Sequence, residues 1–453
     1  MTNKTGDVPE EKLDFKRILP VFVIVLVDLL GLTIIIPLLP LYAAAFGANA
    51  FIIGALGAAY PVMQLLGAPL LGRISDRVGR RPVLIVSQFG TLLGFILLGV
   101  SNTLWLLFIS RIIDGISGAN IATAQAAIAD STTEKTRTQG LGLIGAAFGL
   151  GFIIGPVIAF IVLAATDNNY HMVAWMAAAF SFISILLTVF WFEETLPPEK
   201  RGESNGKPAF SFGVMLDALK NPKTGFLLAL IFMQQFAFGG FEQLLALFTL
   251  SRLGMNAQSN AALFVFAGVL IVAVQGYFVG QWSKKFGDRW VILMGLSVLG
   301  VGLLLASITP KVPVWWYSQA GLEEELTLGR NMPGETPPTN DMQIDLPDDS
   351  NAGWIGLAWL MVATIPIAIG GGVLHPAINS ILTRTVSASE AGGILGISAA
   401  FLSAANALTP IILGAIFEWV GSTAPFLIGG VILLILWVLA GRNIPADTTA
   451  RST

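Results

Sequence analysis

Gly72-Arg73-Ile74-Ser75-Asp76-Arg77-Val78-Gly79-Arg80-Arg81-Pro82 is a short, strongly basic stretch between two apolar runs, 50–71 and 82–101. Each run is long enough to cross a bilayer as a helix, which takes about 20 residues. The chain repeats the phrase 208 positions later, again between apolar runs, as Gly280-Gln281-Trp282-Ser283-Lys284-Lys285-Phe286-Gly287-Asp288-Arg289. Gly72 matches Gly280, Ser75 matches Ser283, Arg77 matches Lys285, Gly79 matches Gly287 and Arg81 matches Arg289. A basic turn that recurs between helical spans implies two similar halves, and secondary transporters are built from such repeats. A second pair, Gly155-Pro156 and Thr409-Pro410, is offset by 254 positions. The excess over 208 is close to the length of a polar insertion at 310–352, so the second half reads as the first with a loop added.

The 453 residues are 55% hydrophobic and 12% charged, about half the charged fraction of a soluble protein. Twelve runs have spanning length: 18–43, 50–71, 82–101, 103–129, 138–164, 170–192, 223–250, 258–281, 290–309, 353–383, 390–418 and 421–441. None alternates with a period of two long enough for barrel strands. The expected fold is an all-α membrane protein with twelve transmembrane helices in two pseudo-symmetric six-helix bundles. Of the 25 Lys and Arg, 21 fall on one side of these spans, Arg252, Lys311 and Arg330 on the other, and Arg111 inside a span. That bias places both termini in the cytoplasm of a multi-pass protein of the cell (inner) membrane. The expected parts are a cytoplasmic N-terminus (1–17) without a cleavable signal pattern, a bundle (18–192), a cytoplasmic linker (193–222), a second bundle (223–441) carrying an external loop (310–352), and a cytoplasmic tail (442–453). In the external loop, Trp315-Trp316-Tyr317 reads as an interfacial anchor, and Glu323, Glu324, Glu325, Asp341, Asp345, Asp348 and Asp349 make it acidic.

There is no cysteine, and the two histidines, His171 and His375, are far apart. Disulfides, thiolate chemistry and a histidine metal cluster are therefore excluded. With no clustered nucleophile, an enzyme is not expected. No metal, cofactor or nucleic-acid partner is expected either, and the working unit is expected to be a monomer in the lipid bilayer.

Charges within spans are costly and mark function. Asp28 lies about 15 Å into the first span and is the leading candidate to load and release a proton. Glu242 in the seventh span is the second proton-coupling candidate. Arg111 and Asp114 are three apart and meet on one helix face, where they can also simply neutralise each other. These two, with Gln64, Asn120, Gln235 and Asn379, are candidates to line an aqueous cavity, against the plainer alternative of interhelical hydrogen bonds. Gly145, Gly149, Gly151 and Gly155 form a small-residue stripe that lets helices approach, and Pro156 bends the same span.

These residues together resemble the major facilitator superfamily, within it the twelve-helix drug/proton antiporters, and among those the tetracycline-exporter-like branch. The signature loop after the second helix is Gly72, Asp76, Arg77, Gly79, Arg80, Arg81 and Pro82. The first-helix signature runs from Asp28 through Gly31 and Pro37 to Pro40, the fourth-helix one is Arg111, Gly115, Gly118 and Ala119, and the fifth-helix antiporter motif is Gly145 to Pro156. The resemblance implies two bundles that rock about a central cavity lined by helices one, four, seven and ten. It implies a cytoplasmic gate of Gly72, Asp76, Arg77, Gly79, Arg80 and Asp130, with Asp76 facing the start of span eleven and Arg80 paired with Asp130. That gate would hold the outward-facing state. It implies proton-driven export of small amphipathic or hydrophobic compounds, the alternative being an importer of a small metabolite on the same fold. Tetracycline exporters carry an acid where this chain has Gly94, and another in the ninth helix, where none lies between Val291 and Thr309 here; both serve the metal-bound drug, so the resemblance does not extend to tetracycline itself. In the second copy of the loop Lys284 stands in place of the acid, which would weaken a symmetric gate.

Overall fold

The computed structural model describes residues 14–118, 120–133, 136–202, 212–222, 224–330, 343–386 and 391–444. Regular structure among them is helical throughout. Twelve helices are long and apolar enough to cross a membrane: Phe15–Ala45, Ala50–Val78, Arg80–Gly99, Leu104–Asp130, Gly142–Ala165, Tyr170–Phe190, Gly225–Leu253, Ala257–Phe286, Asp288–Ser307, Ile355–Arg384, Gly393–Trp419 and Ala424–Asn443. They are called spans 1 to 12 below, and they are the twelve expected from the sequence, shifted by a few residues at their ends. An even number of spans puts the first and last on one side, the terminal face; the other is the far face.

Local chemistry fixes where the helices start. On the far face, side-chain oxygens of Asn49, Thr103, Asn169 and Asn256 accept from the first free backbone N–H groups of spans 2, 4, 6 and 8. On the terminal face spans 2 and 3 meet at Gly79 (φ 116°), and spans 8 and 9 at Gly287 (φ 84°). A side chain is strained at such angles, so glycine is what allows each basic turn to be this short. Span 1 breaks at Ile36–Leu38, beside Pro37 and Pro40, into Phe15–Ile35 and Leu39–Ala45. Span 8 carries a π-turn at Val274–Phe278.

Packing repeats as the sequence does. In the first half spans 1 and 5, 1 and 6, 2 and 4, 3 and 4, and 3 and 6 pack together. The second half repeats these pairs six numbers higher: 7 with 11, 7 with 12, 8 with 10, 9 with 10, and 9 with 12. The two main contacts between the bundles, span 2 with 11 and span 5 with 8, exchange under the same operation. Equivalent side chains also do equivalent work. Arg81 donates to the Thr188 and Val189 carbonyls at the end of span 6, and Arg289 donates to the Gly441 carbonyl at the end of span 12.

The insertion after span 9 contains a helix, Gln319–Arg330, that lies on the far-face ends of spans 1 and 6. Leu322 and Leu326 are buried there. Tyr317 donates to the Pro347 carbonyl, Lys311 pairs with Asp345, and Trp315 and Trp316 are exposed. Asp341 lies outside the described residues. So do Lys207 and Lys223 of the linker region, which otherwise contributes Glu194 and a helix, Phe212–Lys220.

Candidate functional site

A cavity of about 1470 Å³ lies between the bundles and opens on the terminal face. Spans 1, 2, 4, 5, 7, 8, 10 and 11 contribute its wall; spans 3, 6, 9 and 12 stand behind them. The sequence reading named helices one, four, seven and ten, and the neighbours 2, 5, 8 and 11 join them because they form the seams between bundles. At the far face the cavity is shut. Gly54 packs on the Pro410 carbonyl and on Gly414 so closely that a Cβ at Gly54 would overlap the carbonyl oxygen. The Glu418 carboxylate of span 11 accepts from the Ala50 N–H at 2.9 Å, satisfying the start of span 2 from the opposite bundle. Phe51 and Trp419 stack beside it with centroids 5.6 Å apart.

The polar residues singled out from the sequence separate into two groups. On the wall are Arg111, Gln64, Gln235 and Glu242. Gln64 donates to the Tyr60 hydroxyl (3.2 Å) and the Gly118 carbonyl (2.9 Å), and Gln235 donates to Asn406 (2.8 Å). Glu242 has no hydrogen-bond or ion-pair partner among the described residues. Behind the wall are Asp28, Asp114, Asn120 and Asn379. Asn120 donates to Asp28 Oδ2 at 2.9 Å, while Asp28 Oδ1 is buried without a partner. Asp114 pairs with Arg111 at 3.1 Å, both side chains being 2% exposed, and the guanidinium lies over Phe95. Asn379 bonds His375 and accepts from Ser398. The cavity-lining expectation for Asp114, Asn120 and Asn379 therefore gives way to a place in the seams between helices, where each has a polar partner within its own bundle.

At the mouth, Asp76 and Arg77 lie on the wall with Gly72. Arg80 is nearly buried and reaches Asp76 (2.5 Å), the Ser75 hydroxyl (2.7 Å) and Asp130 (2.9 Å). Glu194, which the sequence reading passed over, accepts from the backbone N–H of Arg80 and Arg81 and so caps span 3 beside Gly79. These groups lie on the first bundle and at the start of the linker that follows it, and the cluster is intact with the mouth open. Among the described residues its hydrogen bonds and ion pairs stay on that side of the seam. Asp76 was expected to face the start of span 11; residues 387–390, just ahead of that helix, lie outside the described residues.

The second basic turn builds a smaller cluster, around an acid instead of a guanidinium. Asp288, 2% exposed, accepts from the Ser283 and Ser380 hydroxyls and pairs with Arg384 at 3.1 Å. Asp288 stands where Arg80 does, and Lys284 where Asp76 does. Arg384 follows Asp130 by 254 positions, the offset that relates Pro156 to Pro410. The second turn thus keeps the counterpart of the Arg80–Asp130 pair with inverted polarity, and applying the offset to Asp130 is the signal that finds it.

The glycine stripe of span 5 has two edges. Gly145 and Gly149 face the cavity, with Gly149 toward Val272 and Gln275 of span 8; Gly151 and Gly155 pack against Thr33 of span 1. Pro156 continues the helix within the same span.

Residues 21–322 match the family model of the Major Facilitator Superfamily. The chain is 28% identical to the class B tetracycline resistance protein of Escherichia coli over 404 residues, covering 87% of each. It is 34% identical to the class E tetracycline resistance protein of Escherichia coli over 309 residues, covering 66% of this chain and 74% of that one. Among solved structures it resembles the human organic anion transporter MFSD10 (TETRAN), with a TM-score of 0.60 and 23% identity, covering 95% of this chain and 100% of that one.

Proposed function

This chain belongs to the major facilitator superfamily, and on that footing we propose that it is a proton-coupled antiporter exporting small amphipathic or hydrophobic compounds by alternating access. It is a multi-pass membrane transporter; the weight of basic side chains on the terminal face supports a cytoplasmic position for that face and for the cavity mouth. Compounds enter from the cytoplasm, the mouth closes, and the Gly54–Pro410 and Ala50–Glu418 contacts part on the far side. Gly72, Asp76, Arg77, Gly79, Arg80 and Asp130 shape the cytoplasmic gate, and the span 5 stripe lets the bundles slide closely. The tetracycline resistance relatives support export. The acid that tetracycline exporters carry is absent at Gly94, where a Cβ would sit 2.8 Å from that of Asp114, and this speaks against tetracycline as the cargo.

The observation that carries proton coupling is Asp28. It is an acid inside the bilayer, held by one amide, with its second oxygen buried and unpartnered. A lone carboxylate there is costly, and a proton removes the cost. Glu242, likewise unpartnered, is the second coupling acid. The test is drug-dependent proton flux in proteoliposomes: Asp28→Asn abolishes coupled flux, and undiminished flux eliminates Asp28 as the carrier. Accumulation rather than depletion of the compound in expressing cells would instead make the protein an importer.

A further inference from the structure

Asp28 has to exchange its proton with water, yet it lies behind the cavity wall, bonded to Asn120 of its own bundle. Tyr60 of span 2 stands between the two: it is on the wall, and it faces the charges of Asp114, Asp28 and Arg111. Span 4 makes room for it. The helical segment Leu104–Ser117 ends at Gly118, where a Cβ would overlap the Tyr60 hydroxyl, and a Cβ at Gly115 would crowd the Tyr60 carbonyl. The two glycines of the fourth-helix signature therefore form the recess that admits the phenol. One turn further along span 2, the Gln64 amide donates to the Tyr60 hydroxyl (3.2 Å) and to the Gly118 carbonyl (2.9 Å). The hydroxyl is held as an acceptor, and its own proton has no acceptor among the described residues. Of the two acids nearby, Asp114 is engaged by Arg111, whereas Asp28 Oδ1 is buried without a donor.

We infer that the Tyr60 hydroxyl is the proton's passage through the wall, relaying it between water in the cavity and Asp28 Oδ1 while Gln64 holds the hydroxyl in place. This rests on the proton-coupling reading of Asp28 and deepens it. A phenol ionises only near about pH 10, so it works here by exchange: it gives up one proton as it takes another. On uptake, a hydronium ion in the cavity forms a new O–H bond to Tyr60 Oη. The original O–H bond breaks, and that proton goes to Asp28 Oδ1, directly or over one bridging water. A water molecule remains in the cavity, the phenol is neutral before and after, and the carboxylate has become a carboxylic acid. Release to the cytoplasm is the same step reversed. Arg111, the other wall residue beside these acids, cannot relay, because a guanidinium stays protonated and has no lone pair to accept with.

The test needs no cargo. Full-length protein in detergent receives a proton pulse by photolysis of a caged proton, and a soluble pH indicator follows uptake. Asp28→Asn identifies the phase of uptake that belongs to Asp28. Tyr60→Phe keeps the ring and removes the hydroxyl; it is expected to leave the amplitude of that phase unchanged and to slow it at least about tenfold. An unchanged rate overturns the assignment. So does a lost amplitude, which would make the hydroxyl a support for the Asp28 site and not its route. Should Tyr60→Phe fail to fold, Gln64→Leu leaves the phenol but releases its hydroxyl. The phase is then expected to slow about threefold or more at the same amplitude, and an unchanged rate overturns the assignment. Failure of the proton-coupling reading is seen separately, as a wild type with no phase that Asp28→Asn removes, and it takes this route with it.

Discussion

Arg80 reaches three partners from one nearly buried side chain, so its loss strands two carboxylates at once. Asp76 and Asp130 keep 32% and 23% side-chain exposure, which softens the penalty below that of a fully buried pair. Arg80→Gln should therefore destabilise by about 2 kcal/mol, lowering the midpoint of thermal unfolding in detergent, with Arg80→Lys intermediate. An unchanged midpoint would show that water satisfies the acids as well as the guanidinium does. Gly94→Asp should be worse than neutral: its Cβ meets Asp114 and the Ser110 carbonyl, and its charge adds to that of Asp114. Unfolding at lower temperature and no gain of tetracycline transport are the expected readouts. The charges in spans could be named from the sequence because each is rare there. Which of them face the cavity could not, because these helices are apolar on nearly every side. A lipid-facing stripe and a packed stripe look the same in composition, so periodicity carries no phase. Asp28 and Glu242 look alike in the sequence for that reason; the Asn120 hydrogen bond to Asp28 and the place of Glu242 on the cavity wall separate them.

The helix Gln319–Arg330 belongs to the second half yet rests on spans 1 and 6 of the first, so it spans the far-face seam. Glu325 is at that junction: Asn256 at the start of span 8 donates to it at 2.9 Å, its other oxygen is buried without a partner, and the Tyr170 ring of span 6 is near. Burial pushes the Glu325 carboxyl above its ordinary range, and the Asn256 bond only partly offsets this. A group held more strongly protonated when docked favours docking most at low pH, and the gain is lost as pH rises through the raised value. Spin labels at Glu323→Cys and Met172→Cys, both exposed sites, should report a narrower distance distribution at about pH 5 than at about pH 8, and Glu325→Gln should remove the difference. A pH-independent distribution in the parent protein would contradict this. The existence of the insertion was legible from the two offsets. Its helix was not, because an acidic, polar segment has no apolar run to mark it; Leu322 and Leu326 are the two leucines of it seen to face inward.

At the scale of the whole molecule, the repeated turn does most of the specifying. Two glycines with positive φ, two arginines closing spans 6 and 12, and packing pairs that repeat six spans on describe one bundle used twice. That much followed from hydropathy and offset, since bilayer thickness fixes span length and leaves few alternatives. The closed far face did not follow, because Gly54, Pro410 and Glu418 are ordinary residues until the bundles meet. The central claim is that this cavity, open here to the terminal face, opens to the other face during transport. With no native cysteine, Ser403→Cys places a single near-isosteric thiol on the wall. Its labelling by membrane-impermeant maleimides applied from either side, with and without a proton gradient and cargo, tests that claim most directly. The account predicts labelling from the cytoplasm at rest and from outside during turnover; labelling from only one side under every condition would contradict it.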